Sequence, residues 1–231
     1  MTDNKLDNPV WYSLSETHQS LVIGIEHAKF YQPGYCPFGG LLFSQQAADA
    51  IAHYASLTDN FYIVGEQPIV PAHLIIKKEL VCLQMICTVR IKAGSTESVM
   101  KLTEKDNPSL YELVNRVQPG YFRQQTGQLG DYFGIFKNGQ LIAVTGERMK
   151  MNDFTEVSAV VTDPFYTGKG YASQLIAHTV KNIFDQNKIP YLHVAETNHN
   201  AIRLYQKVGF DVRRKISFWN IGRKQPIVNS E

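Results

Sequence analysis

The spacing of apolar residues changes along the chain, and the clearest signal lies near its end. From Ala172 to about Asn187, Leu175, Ile176, Thr179, Val180, Ile183 and Phe184 recur at steps of three and four, which predicts an amphipathic helix with one buried face. A second helix is expected over Asn198 to Lys207, carrying Ile202, Tyr205 and Val208 before Gly209 ends it. Between them Pro190 leads into a short strand, Tyr191 to Ala195, and Phe210 to Trp219 reads as another. Upstream, Ser98 to Leu102 is expected as a strand and Pro108 to Val117 as a short helix. Asp131 to Phe136 and Gln140 to Gly146 flank Lys137-Asn138-Gly139, and Asn-Gly tolerates the positive φ angles of a type I′ hairpin turn. The strand Glu156 to Thr162 must stop at Asp163-Pro164, because proline has no N–H for the ladder.

Nearer the N-terminus, Ala47, Ala48, Ile51, Ala52 and Ala55 mark a helix over Ser44 to Ser56, while Asn60 to Val64 and Glu79 to Thr88 look like strands. The stretch Lys92 to Thr96 breaks an apolar run with Gly and Ser, so a seam is expected there, dividing an α/β lobe over 1–92 from a second domain over 97–231.

Composition narrows the class. With 44% apolar and 19% charged residues the 231-residue chain is globular, and a net charge of +2 is too small for a nucleic-acid footprint. The first residues lack the apolar core of a signal peptide, and no stretch is long and apolar enough for a membrane span, so a cytoplasmic protein without membrane partners is expected. Cys36, Cys82 and Cys87 form no CxxC and no metal-ligand pattern; packed, reduced thiols and no metal are expected.

Chemistry is concentrated in two segments. In Val160 to Ala172 a strand breaks at proline and enters a helix through Gly168 and Gly170, a junction whose exposed amides and helix dipole suit phosphate, with Lys169 as a cation at the rim. Neither GxGxxG nor GxxxxGK[ST] is present, which sets aside dinucleotide and nucleoside-triphosphate readings. The second segment is Asn198-His199-Asn200-Ala201-Ile202-Arg203-Leu204-Tyr205-Gln206-Lys207-Val208-Gly209-Phe210. It resembles the N-x-x-A-I-x-L-Y-x-x-x-G-F motif of the GNAT superfamily of N-acetyltransferases, and the resemblance runs from about Ser98 to Trp219, being nearest to glycine N-acyltransferase-like domains.

That resemblance implies an α/β fold with a GNAT-like mixed, mostly antiparallel central sheet flanked by helices, here with an additional N-terminal α/β lobe that shapes the acceptor side or is a degenerate GNAT-like half. It implies that the amides of Thr167, Gly168, Lys169, Gly170, Tyr171 and Ala172 hold the coenzyme A pyrophosphate. Main-chain groups of Ala159, Val160 and Val161 would pair with pantetheine, and the acyl group would enter where two strands splay. Asn198 matches the asparagine that bonds the cofactor and Tyr205 the tyrosine near the thioester sulfur, whereas Phe165 stands where the family loop opens with Gln or Arg.

Acylation of an amine requires a neutral nucleophile, hence a proton acceptor. Glu156 matches a family position used as base through a water, with Glu147 as the alternative; the competing reading of Glu156 is an ion pair with Arg148. Tyr205 is the candidate to protonate the departing thiolate. His193 and His199 are weaker base candidates, and neither Ser158 nor Cys87 has a base partner for an acyl-enzyme. The aromatic-rich N-terminal part, with Trp11, Tyr12, His18, Tyr31, Tyr35 and Phe38, is expected to be chiefly core. The expectation is direct transfer of acetyl from acetyl-CoA to an amine of a small molecule or peptide, by a monomer or homodimer. The alternatives are a non-catalytic acyl-CoA sensor and a transferase of longer acyl chains.

Overall fold

A computed structural model describes residues 3–90 and 97–224. The elements in chain order are α1 (Pro9–Ser15), β1 (Val22–Ile25), β2 (Ala28–Tyr31), β3 (Phe38–Leu41), α2 (Ala48–Leu57), β4 (Asn60–Val64) and β5 (Leu74–Ile86). They continue with β6 (Met100–Lys101), α3 (Asn107–Val117), β7 (Tyr132–Lys137), β8 (Gln140–Lys150), β9 (Phe154–Thr162), α4 (Tyr171–Asp185), β10 (Ile189–Ala195), α5 (His199–Lys207) and β11 (Asp211–Arg223).

The strands of the described residues all join one 11-stranded sheet in the order β1-β2-β3-β4-β11-β5-β10-β9-β8-β7-β6. Among the described residues the pairings β3–β4 and β9–β10 are parallel and the others antiparallel, so the mixed, mostly antiparallel sheet is present. The hairpin β7–β8 closes as its dipeptide requires, with Asn138 at φ 51° and Gly139 at φ 78°. Strand β6 is shorter than its apolar pattern suggested, and α1 and β1–β3 were not legible as elements. The expected seam at Lys92 to Thr96 lies outside the described residues. The parts on either side of it share hydrogen bonds, for β5 of the first lies between β10 and β11 of the second.

Helices α4 and α5 pack on one face of the sheet through Ile176, Val180, Ile183 and Tyr205 against Met85, Leu192 and Val194. On the other face α1 contributes Val10 and Leu14 to a core with Phe38, Met149, Tyr191 and Phe218, and α3 packs Leu110 and Val114 against Tyr132 and Val144. Side chains alternate along a strand, so Glu147 and Arg148 on β8 leave by opposite faces, as do Glu156 and Val157 on β9.

Candidate active site

Strands β9 and β10 run together only from Phe154/Ile189 to Glu156/Tyr191 and then diverge. Beyond that point β9 carries a bulge, where the register against β8 shifts between Val144/Val161 and Gly146/Ser158 and Ala159 takes φ 51°. A bulge twists its strand and frees main-chain groups from the ladder. The result is a cavity of about 490 Å³ lined by Glu156 to Thr162 of β9, His193 to Ala195 of β10, and Asn198, Ala201 and Tyr205 at α5. Its opposite end is closed by Val114, Val117 and Tyr121 around α3, by Phe38, Leu80 and Cys82 from the first part of the chain, and by Arg148 and Phe218.

The glycine junction has the expected shape. Asp163 accepts from Phe165 N at 3.0 Å, and Gly168 and Gly170 both take left-handed φ angles, 77° and 79°, before α4 begins at Tyr171. Gly170 caps the helix without any side-chain bond, so the first-turn amides are left without a side-chain partner, an arrangement suited to an anion. Lys169 lies over the Tyr166 ring at 5.2 Å, and Phe165 is fully out in solvent. Thr167 to Ala172 do not line the cavity itself; their anion-binding potential lies on the rim beside it. Asn198 uses its carbonyl to cap α5, accepting from Ala201 N at 3.1 Å.

Tyr205 is buried in the cavity wall with Phe210 edge-on at 6.1 Å, and its hydroxyl makes no hydrogen bond among the described residues. Burial, with Glu156 nearby, pushes the phenol up to about 12. It is a proton donor at neutral pH.

The two carboxylates differ from expectation. Glu156 is buried and receives Arg148 in a fork, Nε to Oε2 and Nη2 to Oε1 at 2.8 Å each. His193 Nδ1 lies 2.8 Å from Oε1 and Met149 N 3.5 Å from Oε2. Burial alone would raise this acid, but the charge and hydrogen bonds of Arg148, with those of His193, reverse that and bring it down to about 2. A carboxylate so satisfied is a poor proton acceptor, and of the two readings of Glu156 the geometry favours the ion pair with Arg148. Glu147 does not line the cavity. It points to the α4 face, accepting from Asn182 at 2.9 Å and Lys150 at 2.5 Å, and so lies across the sheet from the site.

The tautomer of His193 follows from its neighbours. Gln84 Oε1 accepts from Arg213 at 2.9 Å, so its amide nitrogen donates, to Leu6 O at 2.7 Å and to His193 Nε2 at 3.1 Å. Nε2 therefore carries no proton, and Nδ1–H donates to Glu156. Both ring nitrogens are committed, which makes His193 a group that orients Glu156 and not a free base. His199 is exposed at the start of α5. Burial pushes the Cys36 and Cys82 thiols up to about 12, so neither is a thiolate nucleophile.

Phe38 and Arg148 line the site although no motif marked them as site residues; the sequence offered Arg148 only as an ion-pair partner of Glu156 and Phe38 only as one of the N-terminal aromatics. His18 and Tyr31 are core, the histidine held neutral between Tyr31 and Leu129 O with its pKa lowered by burial to about 4. Among the described residues no group of three potential ligands could hold a metal, and no helix is long and apolar enough to cross a membrane.

A strand-splayed cavity beside a glycine-capped helix is the arrangement the GNAT resemblance implies, and comparison with known proteins agrees. The family model described as Acetyltransferase (GNAT) family matches residues 97–210. A protein from Novosphingobium aromaticivorans assigned to the GNAT acetyltransferases is 30% identical, with a TM-score of 0.86 over 95% of this chain and 99% of its own. The fold also matches a GCN5-related N-acetyltransferase from Kribbella flavida (11% identity, TM-score 0.61, 93% and 95% coverage). A GCN5-related N-acetyltransferase-like protein from Streptococcus suis is similar in the same way (12%, 0.62, 96% of each chain). No curated protein matches the chain. This chain belongs to the GNAT family, whose members transfer an acyl group from acyl-coenzyme A to an amine.

Proposed function

We propose that the protein transfers acetyl from acetyl-CoA to the amine of a small molecule or peptide by direct attack within a ternary complex. The reading is carried by one juxtaposition: the Ala159 bulge, the splayed ends of β9 and β10 and the unbonded Tyr205 hydroxyl surround a single cavity. The amides of Thr167 to Ala172 and Lys169 would hold the pyrophosphate, main-chain groups of Ala159, Val160 and Val161 the pantetheine arm, and the Asn198 amide nitrogen, which capping leaves unused, a further cofactor oxygen.

Among the described residues no carboxylate in the cavity wall is available as a base, because Glu156 is the one acid there and is spent on Arg148. The acceptor therefore enters as the neutral amine. Its lone pair attacks the thioester carbon, the C–N bond forms and the C–S bond breaks; Tyr205 gives its proton to the sulfur and regains one from the nitrogen through cavity water, so the balance closes without an added base.

The test measures free thiol on a panel of amines with acetyl and longer acyl donors, beside a Tyr205→Phe variant. The variant is expected to bind coenzyme A as tightly as the parent while kcat falls roughly 100-fold or more. Unchanged kcat would remove Tyr205 from the chemistry, and preference for long donors would replace acetyl.

A further inference from the structure

The acceptor end of the cavity contains a cation with hydrogen-bonding capacity to spare. A guanidinium presents five N–H donors in a fixed plane. Arg148 gives Glu156 two of them at 2.8 Å, and its guanidinium carbon lies over Phe38, 4.6 Å from the ring centroid. Its side chain is only 12% exposed, yet Nη1 makes no hydrogen bond among the described residues and is not wholly sealed from solvent. Nη1 is therefore accessible, and Arg148 lines the cavity. Donors of a nearly buried cation are costly to leave unmet, and a planar pair of N–H groups suits a carboxylate better than a single carbonyl.

The surroundings define the rest of the ligand. Phe38, Leu80, Tyr121, Phe122 and Phe218 supply much of the lining at this end beside the polar Gln118, and among the described residues no carboxylate other than Glu156 lines it. Among the described residues, therefore, no second carboxylate is present there to pair with a further ammonium. Glu156 holds the guanidinium plane in position and is itself held by His193.

We infer that the acceptor is an apolar amine that also carries a carboxylate, an α-amino acid with a large apolar side chain being the simplest case, and that its carboxylate is received by the Nη1 edge of Arg148. This specificity rests on the acyl-transfer reading above.

The experiment compares phenylalanine and leucine with phenylalaninamide and 2-phenylethylamine as acceptors of the full chain with acetyl-CoA, while calorimetry separately measures coenzyme A binding. The acids are expected to exceed their amide and decarboxylated analogues in kcat/KM by on the order of 100-fold, as at sites whose buried polar groups go unpaired with the wrong substrate. In Arg148→Lys, whose integrity is checked by its coenzyme A affinity, that ratio should shrink at least tenfold, because an ammonium cannot hold both partners in one plane. If the amide or the decarboxylated amine is acylated as well as the acid, or no amino acid is acylated although coenzyme A binds, the inference is wrong while the fold's chemistry stands. Failure to bind coenzyme A would overturn both readings.

Discussion

Glu156 illustrates how a residue in the expected place acquires a different task. A catalytic base must give up part of its solvation to hold a proton near neutrality, whereas four donors around this carboxylate favour its charged form. Replacing it by Gln would leave Arg148 as an uncompensated buried cation, a loss of about 3–5 kcal/mol of stability at neutral pH. The pH dependence has a definite sign. The folded carboxyl sits at about 2, below its ordinary 4.5, so its stabilisation is complete above about 4.5 and is lost as pH falls towards 2. In denaturant titrations the parent should exceed Glu156→Gln by a constant margin at pH 6–8 and converge with it under acid conditions; a margin that persists unchanged at pH 2 would show that the ion pair is not its source.

The glycine junction belongs to the scale of the element. Gly170 ends a turn at φ 79° with nothing within 4 Å of where a Cβ would stand, so alanine there meets strain and no clash. The left-handed conformation costs an L-residue about 1–2 kcal/mol, and an exposed loop relieves such strain by relaxing. Relaxation would misdirect the amides at the start of α4. Gly170→Ala should therefore weaken coenzyme A binding by roughly 5–30-fold, with little change in melting temperature; unaltered calorimetric affinity would mean that these amides do not hold the phosphates. This junction was legible in sequence, as were α4, α5 and the β7–β8 hairpin, because each is specified by neighbours within a few residues. The Arg148–Glu156 pair was open to sequence reading, but local patterning could not reveal that His193 and Gln84 join it, since β10 and β5 are separated from the β8–β9 hairpin by long stretches of chain. Nor did it reveal β1–β3, whose apolar residues are interrupted by Gly and Pro and whose pairing is non-local.

At the scale of the molecule, the order β1-β2-β3-α2-β4 repeats as β7-β8-β9-α4-β10, each ending in a parallel pair, and the strands that follow are exchanged: β5 pairs with β10, β11 with β4. This repetition favours the view of the first part as a degenerate GNAT-like half. Its loop between β3 and α2 contains no glycine, so it lacks the glycine turn of the second. The exchange also bears on whether residues 97–231 can stand alone. Without β5 the inner edge of β10 and most of β11 would lose every main-chain partner on that side, and Phe38, Leu80 and Cys82 would leave the cavity wall. Exposed strand edges flanked by apolar side chains associate with one another more readily than they stay in water. The isolated 97–231 fragment should accordingly be aggregated or unfolded and should not bind coenzyme A, whereas co-expression with 1–96 should restore both solubility and binding. A soluble fragment with native-like circular dichroism and an affinity within a few-fold of the full chain would instead establish two independent domains, with β5 a dispensable addition to the sheet.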